Sequence, residues 1–181
     1  MLAAIIVIIT VALDQLSKAL VVSKMEFEGA SIEVVGKLLV FYRTENDGAA
    51  FGMLSNSRWV FIVFSLLAIA VGIYCIIKYN RRHTLLSVSV ALLLGGGIGN
   101  MIDRLFRVGV ECERAVVDFL HSSLMPWFYF NLADAFITIG AVLLCVYMLF
   151  LEPKVEKKLA EQKAASESPE IIQDNQETES E

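Results

Sequence analysis

The sequence predicts an all-α membrane protein, with four transmembrane helices and a small extracytoplasmic β-subdomain in the first outer loop. Three observations predict it. Of the 181 residues, 56% are hydrophobic, and the mean hydropathy is +0.63, above what a soluble domain carries. The apolar residues form runs long enough to span a bilayer, which takes about 20 residues each. The links between runs carry basic residues in a pattern that fixes an orientation.

The first run, MLAAIIVIITVAL, is followed by Asp14, Gln15, Ser17 and Lys18. It lacks the basic leading segment of a cleaved signal peptide, and a helix continued through DQLSKALVV to Val22 reaches spanning length. It is therefore expected to remain as span one. Trp59–Ile77, Thr84–Ile102 and Ala133–Leu151 are spans two to four. Between spans two and three, KYNRRH holds Lys78, Arg81 and Arg82, and Lys154, Lys157 and Lys158 follow span four. By the positive-inside rule both sites are cytoplasmic. Both termini then lie inside, and residues 23–58 and 105–130 form two outer loops. Within the first, SIEVVGKLLVFYRT is rich in β-branched and aromatic residues and reads as a strand pair on the membrane surface.

Residues 1–153 form the expected membrane domain. From Glu152 onward nine acidic residues stand against four lysines. Residues 154–181 are expected to be a disordered acidic cytoplasmic tail, with too little apolar surface to offset the entropy of ordering. No basic patch exists to bind nucleic acid. Cys75, Cys112 and Cys145 give no disulfide framework and read as packing residues.

With this topology, the costly polar groups converge on one face of the bilayer. Asp14 and Lys18 sit at the outer end of span one, and Asn100, Asp103 and Arg104 at the outer end of span three. Asn131 and Asp134 open span four, while Asn46 and Asp118 lie in the outer loops. Asp14 and Lys18 share a helix face, as do Asn100 and Arg104, and Asn131 and Asp134. An ionisable group in a span costs about 2.5–3.5 kcal/mol and turns toward a bundle interior or a wet cavity. Gly95, Gly96, Gly97 and Gly99 allow a neighbouring backbone to approach closely. Asp134 has no base within four positions, so its carboxylate needs a partner remote in sequence or a proton. The apolar neighbours Val117 and Phe119 should raise the pKa of Asp118. Asp14 with Lys18, and Asp103 with Arg104, also read as structural ion pairs.

Two carboxylates sharing a low-dielectric site share a proton, so one serves as base on water while the other donates. That is aspartic peptidase chemistry, without metal or covalent intermediate. A zinc site lacks ligands, since His83 and His121 are the only histidines and lie on opposite sides of the membrane. A serine–lysine dyad from Ser17 or Ser23 with Lys18 or Lys24 leaves the amides and carboxylates without a role. The rival class is a small proton- or ion-coupled transporter using the same carboxylates. Transporters, however, place such groups near the midplane, often within internal repeats.

The motifs LDQLSK (13–18), NDGAAFG (46–52), GGGIGNMIDR (95–104), VVDF (116–119) and FNLADAFI (130–137) together resemble the lipoprotein signal peptidase, or signal peptidase II, family. The resemblance covers most of residues 1–151. It implies a bacterial inner-membrane aspartic peptidase that cuts the signal peptide from diacylglyceryl-modified prolipoproteins before the lipobox cysteine. Its active site would lie at the outer surface. Asp118 and Asp134 would be the catalytic pair, and Asn46, Asn100, Asp103, Arg104 and Asn131 would shape and polarise the pocket. Asp14 and Lys18 would support it from span one. The implied partners are the lipid-modified substrate and membrane lipids, with no metal or cofactor and a monomeric enzyme. Residue physics alone leaves open whether Asp118 or Asp103 partners Asp134; the resemblance selects Asp118. Trp127, Phe128, Tyr129 and Phe130 suit the membrane–water interface.

Overall fold

Four helices with the length and apolar composition of membrane spans organise the chain. They are seen in a computed structural model that describes residues 1–48, 58–79, 82–111, 114–122 and 124–167. Helix α1 (Leu2–Lys24) carries the first run without a break through Asp14 and Lys18. Strands β1 (Ile32–Val35) and β2 (Leu39–Asn46) follow, then α2 (Arg58–Tyr79) and α3 (Thr84–Phe106). After α3 come β3 (Val116–Ser122), β4 (Met125–Phe130) and α4 (Leu132–Val146).

The strands form one antiparallel sheet in the order β1-β2-β3-β4. The strand pair expected in the first outer loop is present as β1 and β2, but the second loop supplies the other half of the sheet. The sequence hid β3 because Val116, Val117, Asp118, Phe119 and Leu120 are all buried. A strand covered on both faces loses the alternation that marks a surface strand. Its register sets Asp118 opposite Thr44, and Val116 opposite Asn46.

The sheet is seated on the end of α1. Val21 packs with Val117, Phe119 and Leu120 in a buried cluster bordered by Met25, Phe41, Phe130 and Leu132. The Phe41 and Phe119 rings meet edge to face at 6.0 Å. The Arg43 guanidinium of β2 donates to the carbonyls of Val22 at 3.3 Å and Met25 at 2.9 Å. It thereby satisfies acceptors that the helix terminus leaves open.

Between the spans, α3 packs through its glycines. A Cβ at Gly95 would lie 2.6 Å from Thr10, and one at Gly99 would lie 2.5 Å from the Asp14 carboxylate, so this stripe faces α1. A Cβ at Gly96 would meet the Ala133 carbonyl oxygen of α4 at 2.5 Å. Gly97 has no such neighbour within 4 Å, so the expectation of close packing at 95–97 and 99 holds at three positions of four.

From Val146 onward the chain forms a second compact unit. It comprises a π-helical turn (Tyr147–Leu151) and α5 (Glu152–Glu167). The disorder expected from residue 154 is therefore corrected over 154–167, which is helical; residues 168–181 lie outside the described residues. The segment EPKVEKKLAEQKAASE is rich in strong helix formers and pairs Lys157 with Glu161 at 3.9 Å across one turn. Extending an existing helix also avoids the cost of nucleation.

Gly96 and Gly97 provide an internal comparison. Gly96→Ala is expected to destabilise the protein by about 1–3 kcal/mol through overpacking, because a backbone carbonyl cannot swing aside. Gly97→Ala should be neutral or stabilising by up to about 1 kcal/mol from helix propensity. Thermal unfolding of both variants in detergent checks this, and equal melting shifts would contradict it.

Candidate active site

The site begins at the first turn of α4, where backbone amides lack helical partners. Asn131 Oδ1 accepts from the Asp134 amide at 3.1 Å, and Asp134 Oδ2 accepts from the Asn131 amide at 3.1 Å. This reciprocal capping box explains locally why the two residues stand three apart. Asp14 of α1 accepts from the Ala133 amide at 3.1 Å, so a second carboxylate serves the same positive helix end.

Asn100 links this turn to the buried charges. Its Oδ1 accepts from Lys18 Nζ at 2.8 Å and Asn131 Nδ2 at 3.1 Å, while its own Nδ2 donates to Asp134 Oδ1 at 2.8 Å. The amide has one orientation that satisfies all three partners. Lys18 is completely buried between Asp14 and Asp103, 2.9 Å from each. Arg107 Nε donates to Asp103 at 2.7 Å. Two cations thus balance two carboxylates, as a buried ionic cluster requires.

Asp118 reaches the site from β3. Asn46 Nδ2 donates to its Oδ2 at 2.9 Å, and Asn131 Nδ2 donates to its Oδ1 at 2.7 Å. The carboxyl is 2% exposed. Burial, and next the neighbouring Asp134 charge, push its pKa up to about 7 despite the two amide donors and the Lys18 charge. Asp118 and Asp134 line one cavity of about 230 Å³, with Asn46, Asn100, Arg104 and Tyr129 among its other walls. Two carboxylates in unlike settings on one cavity can divide the roles of proton donor and base.

The predicted residues fall into two layers. Asn46, Asn100, Arg104, Asp118 and Asp134 line the reacting space, while Asn131, Asp14, Lys18 and Asp103 lie fully buried behind it. The expected pairing of Asp103 with Arg104 is corrected. Adjacent helical positions point about 100° apart, so Asp103 faces Lys18 and Arg107, whereas Arg104 turns to the cavity. There the Arg104 guanidinium lies 4.9 Å from the Phe61 ring centre and donates to the Gly48 carbonyl at 3.2 Å. Ser17 and Ser23 donate to the carbonyls of Asp14 and Leu20 in their own helix, which leaves a serine–lysine dyad without a nucleophile. His121 stacks on Tyr129 at 4.6 Å, and His83 accepts from the Leu85 amide at the start of α3. Cys75 is half-buried and Cys145 exposed, both free thiols. Of the NDGAAFG motif only Asn46, Asp47 and Gly48 are described, and Cys112 lies outside the described residues.

Sequence reasoning missed Gln15, Arg107 and Phe61. Gln15 donates to Asp14, to Asp103 and to the Gly99 carbonyl, and accepts from Arg107 at 3.1 Å. The four-residue spacing of Asp103 and Arg107 was a readable signal. Nothing local marked Gln15 or Phe61.

A family model described as signal peptidase (SPase) II matches residues 6–150. A lipoprotein signal peptidase of Clostridioides difficile (strain 630) is 36% identical over 154 residues, covering 85% of this chain and 99% of that protein. A bacterial membrane enzyme solved by the in meso method at 2.3 Å superposes with a TM-score of 0.70 at 26% identity, covering 94% of each chain. A second, at 1.9 Å, gives a TM-score of 0.72 at 28% identity, covering 82% of this chain and 93% of the other.

The raised Asp118 pKa has a stability consequence. The folded protein holds this proton more tightly than the unfolded chain, so the group's contribution is fully present below about pH 4 and is lost as pH rises toward 7. A shift of that size corresponds to about 4 kcal/mol. Asp118→Asn should therefore gain stability relative to wild type as pH is raised across this window. Paired thermal melts at pH 4, 5.5 and 7.5 measure the difference, and parallel curves would refute it.

Proposed function

The chain belongs to the signal peptidase II family, a family of bacterial membrane peptidases, and we propose that it removes signal peptides from lipid-modified prolipoproteins with Asp118 and Asp134 as its catalytic pair. The observation that carries the assignment of the pair is the single cavity on which both carboxylates open, one buried on a strand and one capping a helix.

Asp118 holds the shared proton at neutral pH, as its raised pKa favours. Asp134 takes a proton from the attacking water, with two N–H donors and the helix N-terminus supporting its charge. Asp118 donates to the carbonyl oxygen of the scissile peptide as the water oxygen attacks carbon. The resulting diol then collapses, and its proton passes to the leaving amine. Arg104 is suited to steady the developing oxyanion, since its side chain lines the cavity beside both carboxylates. Asn46, Asn100 and Asn131 hold the carboxylates in place and take no proton.

Cleavage before the lipobox cysteine at the outer face of the inner membrane completes the proposal. Both termini are then cytoplasmic, in accord with the basic residues after α2 and α4. A transporter is not supported: among the described residues the buried ionisable groups gather at one end of the bundle, with no chain of them across it.

The test is cleavage of a lipobox peptide, with and without its diacylglyceryl group, by purified protein in detergent. Asp118→Asn and Asp134→Asn are each expected to lower kcat by about 10²–10⁴-fold in protein that remains folded. Asp103→Asn should instead lower the melting temperature through the Lys18 cluster. The rate should fall as pH rises through about 7, where Asp118 loses its proton. A rate that rises through that pH would exchange the roles of the two aspartates. Full activity of Asp118→Asn would remove it from the pair.

A further inference from the structure

Among the described residues, helix α2 lends no side chain to the wall of the catalytic cavity. It reaches the site indirectly, through one aromatic ring. At its outer end Trp59, Val63 and Phe64 are exposed and Ile62 is buried. Phe61 is half-buried and faces Arg104, whose guanidinium carbon lies over its ring, 4.9 Å from the centre. Arg104 is also held from the side of the sheet. Its Nη2 donates to the Gly48 carbonyl at 3.2 Å, and the Gly48 amide donates to Asn46 Oδ1 at 3.0 Å. Asn46 in turn donates to Asp118. The guanidinium is thus clamped between the chain just after β2 and the start of α2.

We propose that Phe61 is a positioning residue for the reaction, holding the Arg104 guanidinium over the cavity by a cation–π contact; the inference rests on the peptidase reading above. The nature of the partner carries the argument. Asp118 and Asp134 line the same cavity as Arg104. A carboxylate is the strongest partner a guanidinium meets, and a bidentate pair takes up two of its N–H donors. A guanidinium free to swing would close on an aspartate, and those donors would be lost to the substrate. An aromatic ring attracts the cation through its negative face instead and neutralises none of its charge. The other contact, the Gly48 carbonyl, is also neutral and occupies a single N–H. Arg104 is therefore fixed in place with its full charge, which an oxyanion can use. That anion exists only during the reaction, so its stabilisation acts on kcat and leaves substrate binding alone. An aliphatic residue at position 61 would fill the space of the ring without this pull.

The experiment varies the electron density of the ring at nearly constant size. In the full-length protein Phe61 is replaced by mono-, di- and trifluorinated phenylalanine, beside Phe61→Leu and Phe61→Tyr. Cleavage of a diacylglyceryl lipobox peptide in detergent is measured together with the thermal unfolding of each protein. Phe61→Leu should lower kcat about 5–30-fold, the range of a desolvated cation–π contact, with KM within about twofold of wild type. Fluorination should lower kcat stepwise toward the leucine value while the melting temperature stays constant. Phe61→Tyr keeps the ring face and should stay within about twofold of wild type. In an Arg104→Gln background the fluorinated series should be flat, because Phe61 acts through Arg104. A kcat indifferent to fluorination would reduce Phe61 to a packing residue and overturn the proposal. So would a series that moves KM instead, or one that persists without Arg104. If wild type leaves the lipidated peptide uncut, the peptidase reading itself fails and this role falls with it.

Discussion

Lys18 is an ammonium group with no exposure, in a helix that is otherwise lipid-grade sequence. A charge in that position stands only if its partners are supplied in full, because removing one member of a buried ionic cluster typically costs about 3–5 kcal/mol. Its partners come from α1 itself, as Asp14, and from α3, as Asp103 and Asn100. The requirement then propagates outward. Helix α3 must approach α1 closely enough for these contacts, which puts glycine at 95 and 99 where any side chain would strike Thr10 or Asp14. Asp103 balances the extra charge only with Arg107, and Gln15 ties Arg107 back to α1. The bundle is packed around a polar constraint, and its apolar surface is left to the lipid.

That same ammonium reaches the cavity through an amide. By donating to Asn100 Oδ1, Lys18 turns the Asn100 NH₂ group toward Asp134, and Asn131 accepts from the Asp134 amide at its Oδ1 while its NH₂ donates to both Asn100 and Asp118. Amides suit this work because each presents one donor end and one acceptor end and stays neutral across the working pH range. Charged groups in their place would bias the protonation of the two aspartates directly. The unlike character of the pair comes instead from its supports: a strand buried on both faces for Asp118, and a helix N-terminus for Asp134.

Much of this was legible in the sequence, and the limits follow from particular residues. The i,i+4 spacing of Asp14 and Lys18 gave their contact, and Asp134 stood out as a carboxylate in an apolar run with no nearby base. The four spans could be read from length and hydropathy alone. Strand β3 escaped because burial on both faces erases the period-two pattern, so half of the sheet was read as loop. Arg104 was paired with Asp103 because adjacency in sequence was taken for adjacency in space, which a helix forbids. Gln15 and Phe61 carry no local signal, since their roles exist only after α1, α2 and α3 have come together. Residues 154–167 were read from charge and low hydropathy as disordered, where helix propensity proved the stronger influence.

A dyad drawn from a sheet and a helix needs a common reference, or the motion of one against the other would misplace the shared proton. Helix α1 provides it. Asp134 is referred to α1 twice, through Asn100 to Lys18 and through the Ala133 amide to Asp14. Asp118 is referred to the same helix from the other side, where Val21 packs beneath β3 and Arg43 bonds the carbonyls at the helix end. Both routes terminate within three turns of one another, between Asp14 and Met25. A displacement of about 1 Å is enough to cost a reaction two orders of magnitude, so the tolerance is narrow for groups borne on separate elements. The buried ion cluster and the sheet's anchor therefore act on one quantity, the separation of two carboxyl groups, and α1 supplies the fixed scale without contributing a catalytic residue.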